Sequence, residues 1–185
     1  MNTHPKKVVI LALATLGLAT LLAPATSRAQ EIPQPISRPC KHPCPNRIRF
    51  QDAPRLDSVE IHARIVPVSS IDPANENFAF ELTDGNGNSI FAAFLPAGSM
   101  RDTNAGKKVV YKNPAAKTAG GLYSVLIAPR KDAIGGYRVD IRGYGDFTPP
   151  VSADITTFLA IGNDPFFDTR AWTPRADGYS VDFAP

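Results

Sequence analysis

Two cysteines that flank a histidine are the residues best suited to chemistry in this chain. Cys40 and Cys44 enclose Lys-His-Pro, with His42 at the centre. Two thiolates and an imidazole are suitable ligands for a soft metal, copper(I) or zinc. A closed structural site needs four ligands, and no second Cys-x-x-Cys or histidine pair supplies the rest. In an exported chain we therefore expect a small disulfide between Cys40 and Cys44, with free thiols or a metal site as the alternatives.

A calcium-loop pattern follows later in the chain. Asp84, Asn86 and Asn88 match its first three ligand positions, Asp-x-Asn-x-Asn. The sixth position should be glycine and is Ser89, and the twelfth should be glutamate and is Leu95. The same Asp-Gly-Asn-Gly-Asn run tolerates positive φ and is typical of a β-hairpin. We predict a hairpin turn here, with a calcium site as the alternative.

Little in the sequence points to catalysis. His62 alternates with apolar neighbours and is expected on the polar face of a strand. No Gly-x-Ser-x-Gly, no His-Glu-x-x-His and no phosphate-binding glycine loop occurs. We expect a protein that is not an enzyme and that uses no cofactor. A hydrolase built on an unrecognised carboxylate pair is the alternative, since a fold can assemble such a pair from distant residues.

Aromatic residues concentrate near the end of the chain, at residues 165–185. We expect this segment to pack on the domain, where it would cover the second face of the run Ser89–Leu95, which is apolar on both sides. The alternative is an exposed surface for a partner. Tyr144, Trp172 and Tyr179 would then be the candidates for stacking on sugar rings.

The first 29 residues have the three parts of a secretory signal peptide. Two lysines precede an uncharged run at residues 8–22, and Ser27 and Ala29 occupy the −3 and −1 positions of a cut before Gln30. The run is shorter than the roughly 20 residues that a membrane-spanning helix needs. We expect cleavage, export to the periplasm or outside the cell, and no transmembrane segment afterwards. An uncleaved anchor is the alternative.

Cleavage also changes the charge. The chain has 20 Lys+Arg and 17 Asp+Glu, and Lys6, Lys7 and Arg28 would leave with the signal. Residues 30–185 are then formally neutral, with adjacent basic residues only at 107–108 and 130–131. Nucleic-acid binding usually needs a clustered basic surface. We therefore expect no nucleic-acid partner.

The elements that would position these residues are strands. Residues 30–46 contain five prolines and predict a stiff, extended leader. Over 47–164, apolar and polar residues alternate with period two between turn residues. The predicted strands are 59–65, 78–83, 89–95, 109–112, 121–128, 137–142 and 153–161. Seven or eight short strands predict an all-β, antiparallel two-sheet sandwich of immunoglobulin-like type, with a small β-barrel as the alternative.

Turn signatures recur between residues 71 and 164. They are Ile71-Asp72-Pro73, Leu82-Thr83-Asp84-Gly85, Leu95-Pro96-Ala97-Gly98, Gly120-Gly121-Leu122 and Ile161-Gly162-Asn163-Asp164. In these features the chain resembles an immunoglobulin-like module of uncharacterised secreted or surface proteins of bacteria. The resemblance implies a β-sandwich and a role that is not enzymatic.

These observations together predict an exported β-sandwich that binds or scaffolds in the cell envelope or outside the cell. Its partner would be a protein or a glycan. A carbohydrate-binding module that uses surface aromatics is the first alternative, and the hydrolase is the second.

Overall fold

The structure is a computed structural model that describes residues 34–35, 45–52, 55–103, 107–131 and 134–181. All of these belong to one compact unit, residues 32–185. The expected signal peptide at 1–29 and the expected disulfide of Cys40 and Cys44 lie outside the described residues. Within the described ranges, no helix is long and apolar enough to cross a membrane.

The described residues form thirteen strands and one short helix. In chain order they are β1 Gln34–Pro35, β2 Asn46–Arg49, β3 Asp57–Ile65, β4 Phe78–Asp84, β5 Ser89–Leu95, β6 Arg101–Thr103, β7 Lys108–Lys112, α1 Ala116–Ala119, β8 Gly121–Pro129, β9 Tyr137–Gly145, β10 Asp154–Ile161, β11 Asp164–Ala171, β12 Thr173–Arg175 and β13 Gly178–Val181.

Side-chain alternation explains the long strands. In β3, every second residue from Asp57 to Ile65 is buried, and the residues between them are half-buried. The same alternation runs the length of β4. A strand with this pattern buries one face and presents the other to water, so these predicted strands are confirmed.

The strands form two sheets. The small sheet has the order β1-β11-β10-β4-β5, and the large sheet has the order β12-β13-β2-β3-β9-β8-β7-β6. Neighbours are antiparallel except for β1, which runs parallel to β11. Neither sheet closes on itself, so the predicted two-sheet sandwich is confirmed and the barrel is excluded. The sequence predicts only seven or eight strands, because β6 and β12 have three residues each and β11 has no alternation of polar and apolar residues.

The C-terminal segment is part of both sheets. β11 pairs with β10 in the small sheet, and β13 pairs with β2 in the large sheet. Trp172 is the single residue between β11 and β12, and its backbone N–H donates to the carbonyl oxygen of Ala153 at 2.7 Å. β4 and β10 separate β5 from β11. The prediction that this segment covers β5 is therefore wrong.

Phenylalanine rings fill the space between the sheets. The Phe91 ring lies 5.9 Å from the Phe80 ring and 5.2 Å from the Phe147 ring, measured between centroids. The Phe91 ring also lies against Gly143 on β9 of the large sheet. A Cβ atom added to Gly143 would lie 2.6 Å from Cζ of Phe91. Only glycine permits that approach without movement of the ring, so Gly143 sets the spacing of the two sheets at this point.

Candidate functional site

The outward face of the large sheet carries most of the polar side chains that could meet a ligand. Residues paired in register across antiparallel strands point to the same side of the sheet. Glu60 pairs with both Arg47 and Arg142, Arg142 pairs with Ser124, and Ser124 pairs with Lys112. One row of side chains therefore crosses five strands on the face that points away from the core.

Charge on this face is unbalanced. Nine basic residues share it, and we call it the basic face: Arg47, Arg49, Arg64, Arg101, Lys108, Lys112, Arg138, Arg142 and Arg175. Two acidic residues within these strands, Glu60 and Asp140, share it. The outward face of the small sheet, by contrast, presents Ala79, Phe94 and Phe158 and no basic side chain from β4, β5, β10 or β11.

This cluster corrects the sequence argument against a basic surface. On a strand the outward positions are two residues apart, so basic residues on one face are never adjacent in sequence. Arg47 and Arg49 on β2 and Arg138 and Arg142 on β9 come together only because β3 lies between the two strands. A search for adjacent basic residues therefore misses a basic face built by register.

The two carboxylates of the basic face hold an ion-pair network. The Asp140 carboxylate contacts His62 Nδ1 at 2.9 Å and Arg138 Nε at 3.0 Å. Glu60 Oε1 contacts His62 Nε2 at 3.4 Å and accepts a hydrogen bond from an Arg142 terminal nitrogen at 2.6 Å. That bond raises the pKa of Arg142 above its usual value. The sequence placed His62 on a polar face, and the structure adds two acidic neighbours.

A shallow groove of about 480 Å³ runs across β3, β9, β8 and β7 on the basic face. His62, Asp140 and Arg142 line one side, and Lys112 contributes a further charge. Leu126 and Val110 pair in register and give the groove an apolar floor. A groove with an apolar floor and with Arg142 and Lys112 at its sides suits an elongated, anionic ligand with apolar faces.

Two tyrosines stand at one end of this groove. The rings of Tyr123 and Tyr144 meet edge to face, with centroids 5.7 Å apart and planes at 89°. The Lys117 ammonium lies 5.0 Å from the centre of the Tyr123 ring. The sequence singled out Tyr144 but not Tyr123, which lies within an irregularity of the β8–β9 register between Leu122 and Ser124.

A second groove of about 310 Å³ lies toward the other end of the basic face, where β2, β12 and β13 meet. Arg47, Arg49 and Arg175 line it together with Asp177 and Ser180. Asp177 lies 3.7 Å from Arg49, measured from Oδ2 to Nε. The seven gaps of about 4.8 Å between eight strands make the sheet roughly 34 Å wide, and the two grooves occupy different parts of that width.

The other aromatic candidates are not on this face. Trp172 is only 3% exposed and belongs to the core. Tyr179 pairs with the buried Ile48 and therefore points inward, with its ring 6.3 Å from that of Phe50. Of the three candidates for stacking on sugar rings, the structure places Tyr144 on the basic face and directs Trp172 and Tyr179 toward the core.

Asp84, Asn86 and Asn88 form a turn in which the carboxylate is enclosed by donors. Asp84 Oδ1 accepts from the backbone N–H groups of Asn86 and Asn88, both at 2.9 Å. Asp84 Oδ2 accepts from the Asn88 side-chain amide at 3.0 Å and from the Val151 N–H at 3.2 Å. Four donors occupy the lone pairs that a calcium ion would need. The arrangement is that of the predicted hairpin and does not favour the calcium alternative.

The other metal hypothesis is the soft-metal site formed by two cysteines and a histidine. Cys40, His42 and Cys44 lie outside the described residues. Within the part of the chain that the structure describes, no group of three or more His, Cys, Asp or Glu side chains could hold a metal ion.

Comparisons with protein-family models, with curated proteins and with solved structures find no match to this chain. The resemblance to the immunoglobulin-like bacterial module therefore stays a prediction.

Proposed function

We propose that this chain is an exported, non-catalytic binding protein that holds an acidic polysaccharide on its basic face. The observation that carries the proposal is the ratio of nine basic to two acidic residues among the strand residues that point outward on one face of the large sheet. A polymer with regularly spaced carboxylate or sulfate groups matches that distribution of charge. Complementary charge of this kind steers association and sets orientation.

The tyrosines and the apolar floor of the groove favour a glycan among the polyanions. A tyrosine ring offers an apolar body with a polar tip, which suits the alternating C–H and hydroxyl edges of a sugar ring. Tyr123 and Tyr144 stand beside Arg142 and Lys112, so stacking and ion pairing would act on neighbouring sugar units. This supports the carbohydrate-binding alternative, with Tyr123 and Tyr144 as the stacking residues and with Trp172 in the core.

The network around His62 supports binding over catalysis. Glu60 and Asp140 each accept from an arginine and contact His62. Each carboxylate therefore has two partners, an arginine and the His62 imidazole, and these contacts fix its position. Such carboxylates hold Arg138 and Arg142 in place on the basic face, which is the role that a binding surface needs.

The export part of the proposal depends on the first 29 residues. Their basic start, uncharged run and small residues before Gln30 are those of a cleaved signal. Acidic polysaccharides are abundant outside cells, so the compartment and the ligand class agree with each other.

Alginate and neutral dextran are suitable probes for a direct binding test. We expect the purified protein to bind alginate with an affinity that falls steeply with added salt, and not to bind dextran. The double variant Lys112→Gln/Arg142→Gln removes two cations beside the groove. It should weaken alginate binding by about tenfold, since an exposed ion pair contributes up to about 1 kcal/mol.

Arg55→Gln is the matched control, because Arg55 is an exposed arginine in the β2–β3 loop and not on the basic face. It should leave alginate binding unchanged. Equal loss in the control and the double variant would mean that net charge, and not the basic face, governs binding. Tighter binding of duplex DNA than of alginate at equal salt would overturn the ligand class and contradict the expectation of no nucleic-acid partner.

A further inference from the structure

The four outer edges of the two sheets are not alike. β1 has two residues, one of them Pro35, and β12 has three residues with Pro174 in the middle. β6 has three residues, two of which are the charged pair Arg101 and Asp102. Short length, proline and charge are the features by which proteins prevent an edge strand from pairing with another chain. Three of the four edges therefore carry such protection.

β5 carries none of them. It is a seven-residue edge strand, Ser-Ile-Phe-Ala-Ala-Phe-Leu, with no proline and no charged side chain. One of its two backbone edges pairs with β4, and in the described fold the other edge has no strand beside it. On its outward face, Phe94 is 60% exposed. A long, uncharged, apolar edge is suited to the addition of a strand from another chain.

The strand is complementary to itself. Beyond the irregularity at the start of the β4–β5 register, Phe91–Leu95 is regular. Consider two β5 strands from two copies that pair antiparallel with their Ala93 residues opposite each other. Phe94 of each strand then lies opposite Ala92 of the other on the outward face. Phe91 lies opposite Leu95 on the inward face. In this register outward side chains pair with outward side chains, and inward ones pair with inward ones. Each large outward side chain also lies opposite a small one.

The described part of the chain offers no better occupant for this edge. The residues of the Pro-rich leader that the structure describes, Gln34 and Pro35, pair with β11 at the opposite edge of the small sheet. The C-terminal strands β12 and β13 belong to the large sheet. A second copy needs no further chain, and its strand has the matching pattern of large and small residues.

We infer that β5 pairs with β5 of a second copy about a two-fold axis at Ala93. This joins the two small sheets into one continuous sheet of ten strands. The interface is isologous, so it closes as a dimer and does not propagate. In this arrangement the two Phe94 rings are diagonal neighbours on the outward face, within reach of each other. The inference does not depend on the proposed ligand.

Sedimentation of the purified protein tests the dimer, with Phe94→Lys as the disrupting variant. We expect a dimer in the unchanged protein and a dissociation constant at least about tenfold higher in the variant, because two lysines become diagonal neighbours in an apolar interface. Phe167→Lys is the matched control, since Phe167 is an exposed phenylalanine on the same outward face but on β11. It should leave the dissociation constant unchanged.

Hydrogen exchange supplies a second measurement that does not depend on the variants. Amides of β5 should exchange more slowly as protein concentration rises, whereas those of β6 and β12 should not change. A protein that stays monomeric up to about 1 mM overturns the inference. So does a dimer that Phe167→Lys weakens as much as Phe94→Lys does, because that result assigns the contact to the sheet face and not to the β5 edge.

Discussion

Single residues decide the conformation of the connections at one end of the sandwich, and Asp84 is the clearest case. Its carboxylate accepts from the β4–β5 hairpin and also from Val151, which lies in the connection between β9 and β10. The hydrogen bond from the Asn88 side chain is the main cause that lowers the pKa of Asp84 from 3.8 to about 2, with backbone N–H groups adding to it. One ionised group therefore joins two connections that are distant in sequence.

The lowered pKa of Asp84 predicts a dependence of stability on pH. Because the folded state holds this proton less tightly than the unfolded state, the contribution of Asp84 is present above pH 3.8 and is lost as the pH falls toward about 2. Asp84→Asn should therefore be less stable than the unchanged protein at pH 7 and lose less stability between pH 4 and pH 2. Urea unfolding at several pH values measures both effects.

Asp146→Asn is the control for that experiment, since Asp146 is an exposed aspartate in the same β9–β10 connection. Its loss of stability on acidification should equal that of the unchanged protein. An Asp84→Asn variant with the same acid sensitivity as the unchanged protein would contradict the role assigned to the Asp84 carboxylate.

At the scale of elements, the crossing from β11 to β12 ties the two sheets together. Trp172 occupies this crossing, is 3% exposed and packs in the shared core. Trp172→Ala should destabilise the fold by about 3–5 kcal/mol, the usual cost of truncating a buried aromatic side chain. Thermal or urea unfolding measures this loss. Ile134→Ala is the control, because Ile134 is fully exposed and its truncation should change stability little.

The fluorescence of Trp172 can distinguish a role of this side chain in the core from a role in ligand binding. Trp172 is the single tryptophan of the chain, so its fluorescence reports on one site. A buried indole should resist quenching by acrylamide, and saturating alginate should leave its emission unchanged. Strong quenching by acrylamide, or a change of emission on alginate binding, would contradict its place in the core.

Elements with strict alternation could be predicted from the sequence, and elements defined by their neighbours could not. β3, β4 and β10 bury alternate residues along their length, so period two locates them. β6 and β12 have three residues each, too few for any period. In β11 the buried Asp164 is polar and the exposed Phe167 is apolar, so the sequence of this strand does not alternate although its burial does.

The candidate site depends even more on pairing between distant strands. Tyr144 could be found because it follows the most regular alternation in the chain, whereas Tyr123 lies in a register irregularity. The basic face arises from the order of eight strands, with Lys112 and Arg175 brought to one surface although 63 residues separate them in the numbering. Register is a long-range property, and one sequence without its fold does not reveal it.

At the scale of the whole molecule, the two sheets present different surfaces to solvent. The large sheet shows cations, and the small sheet shows phenylalanine, alanine, threonine and Glu81 beside the uncharged edge strand β5. Pairing through β5 keeps the core side of each small sheet on the same side of the joined sheet. Both basic faces then lie on that side, rotated relative to each other by the twist of the intervening strands. A dimer would therefore offer two binding faces to one long polymer.

This arrangement predicts that the effect of dimerisation on binding affinity depends on the length of the polysaccharide. Phe94→Lys changes no residue of the basic face, so a short alginate oligosaccharide should bind it as tightly as it binds the unchanged protein. Long alginate should bind the variant at least about tenfold more weakly, because only a polymer that reaches both faces gains from effective concentration.

Binding curves for the two lengths, measured at one salt concentration, give both values, and Phe167→Lys should match the unchanged protein in each. Equal weakening for both lengths would mean that Phe94 acts on the basic face itself, and no weakening for either would mean that each copy binds alone.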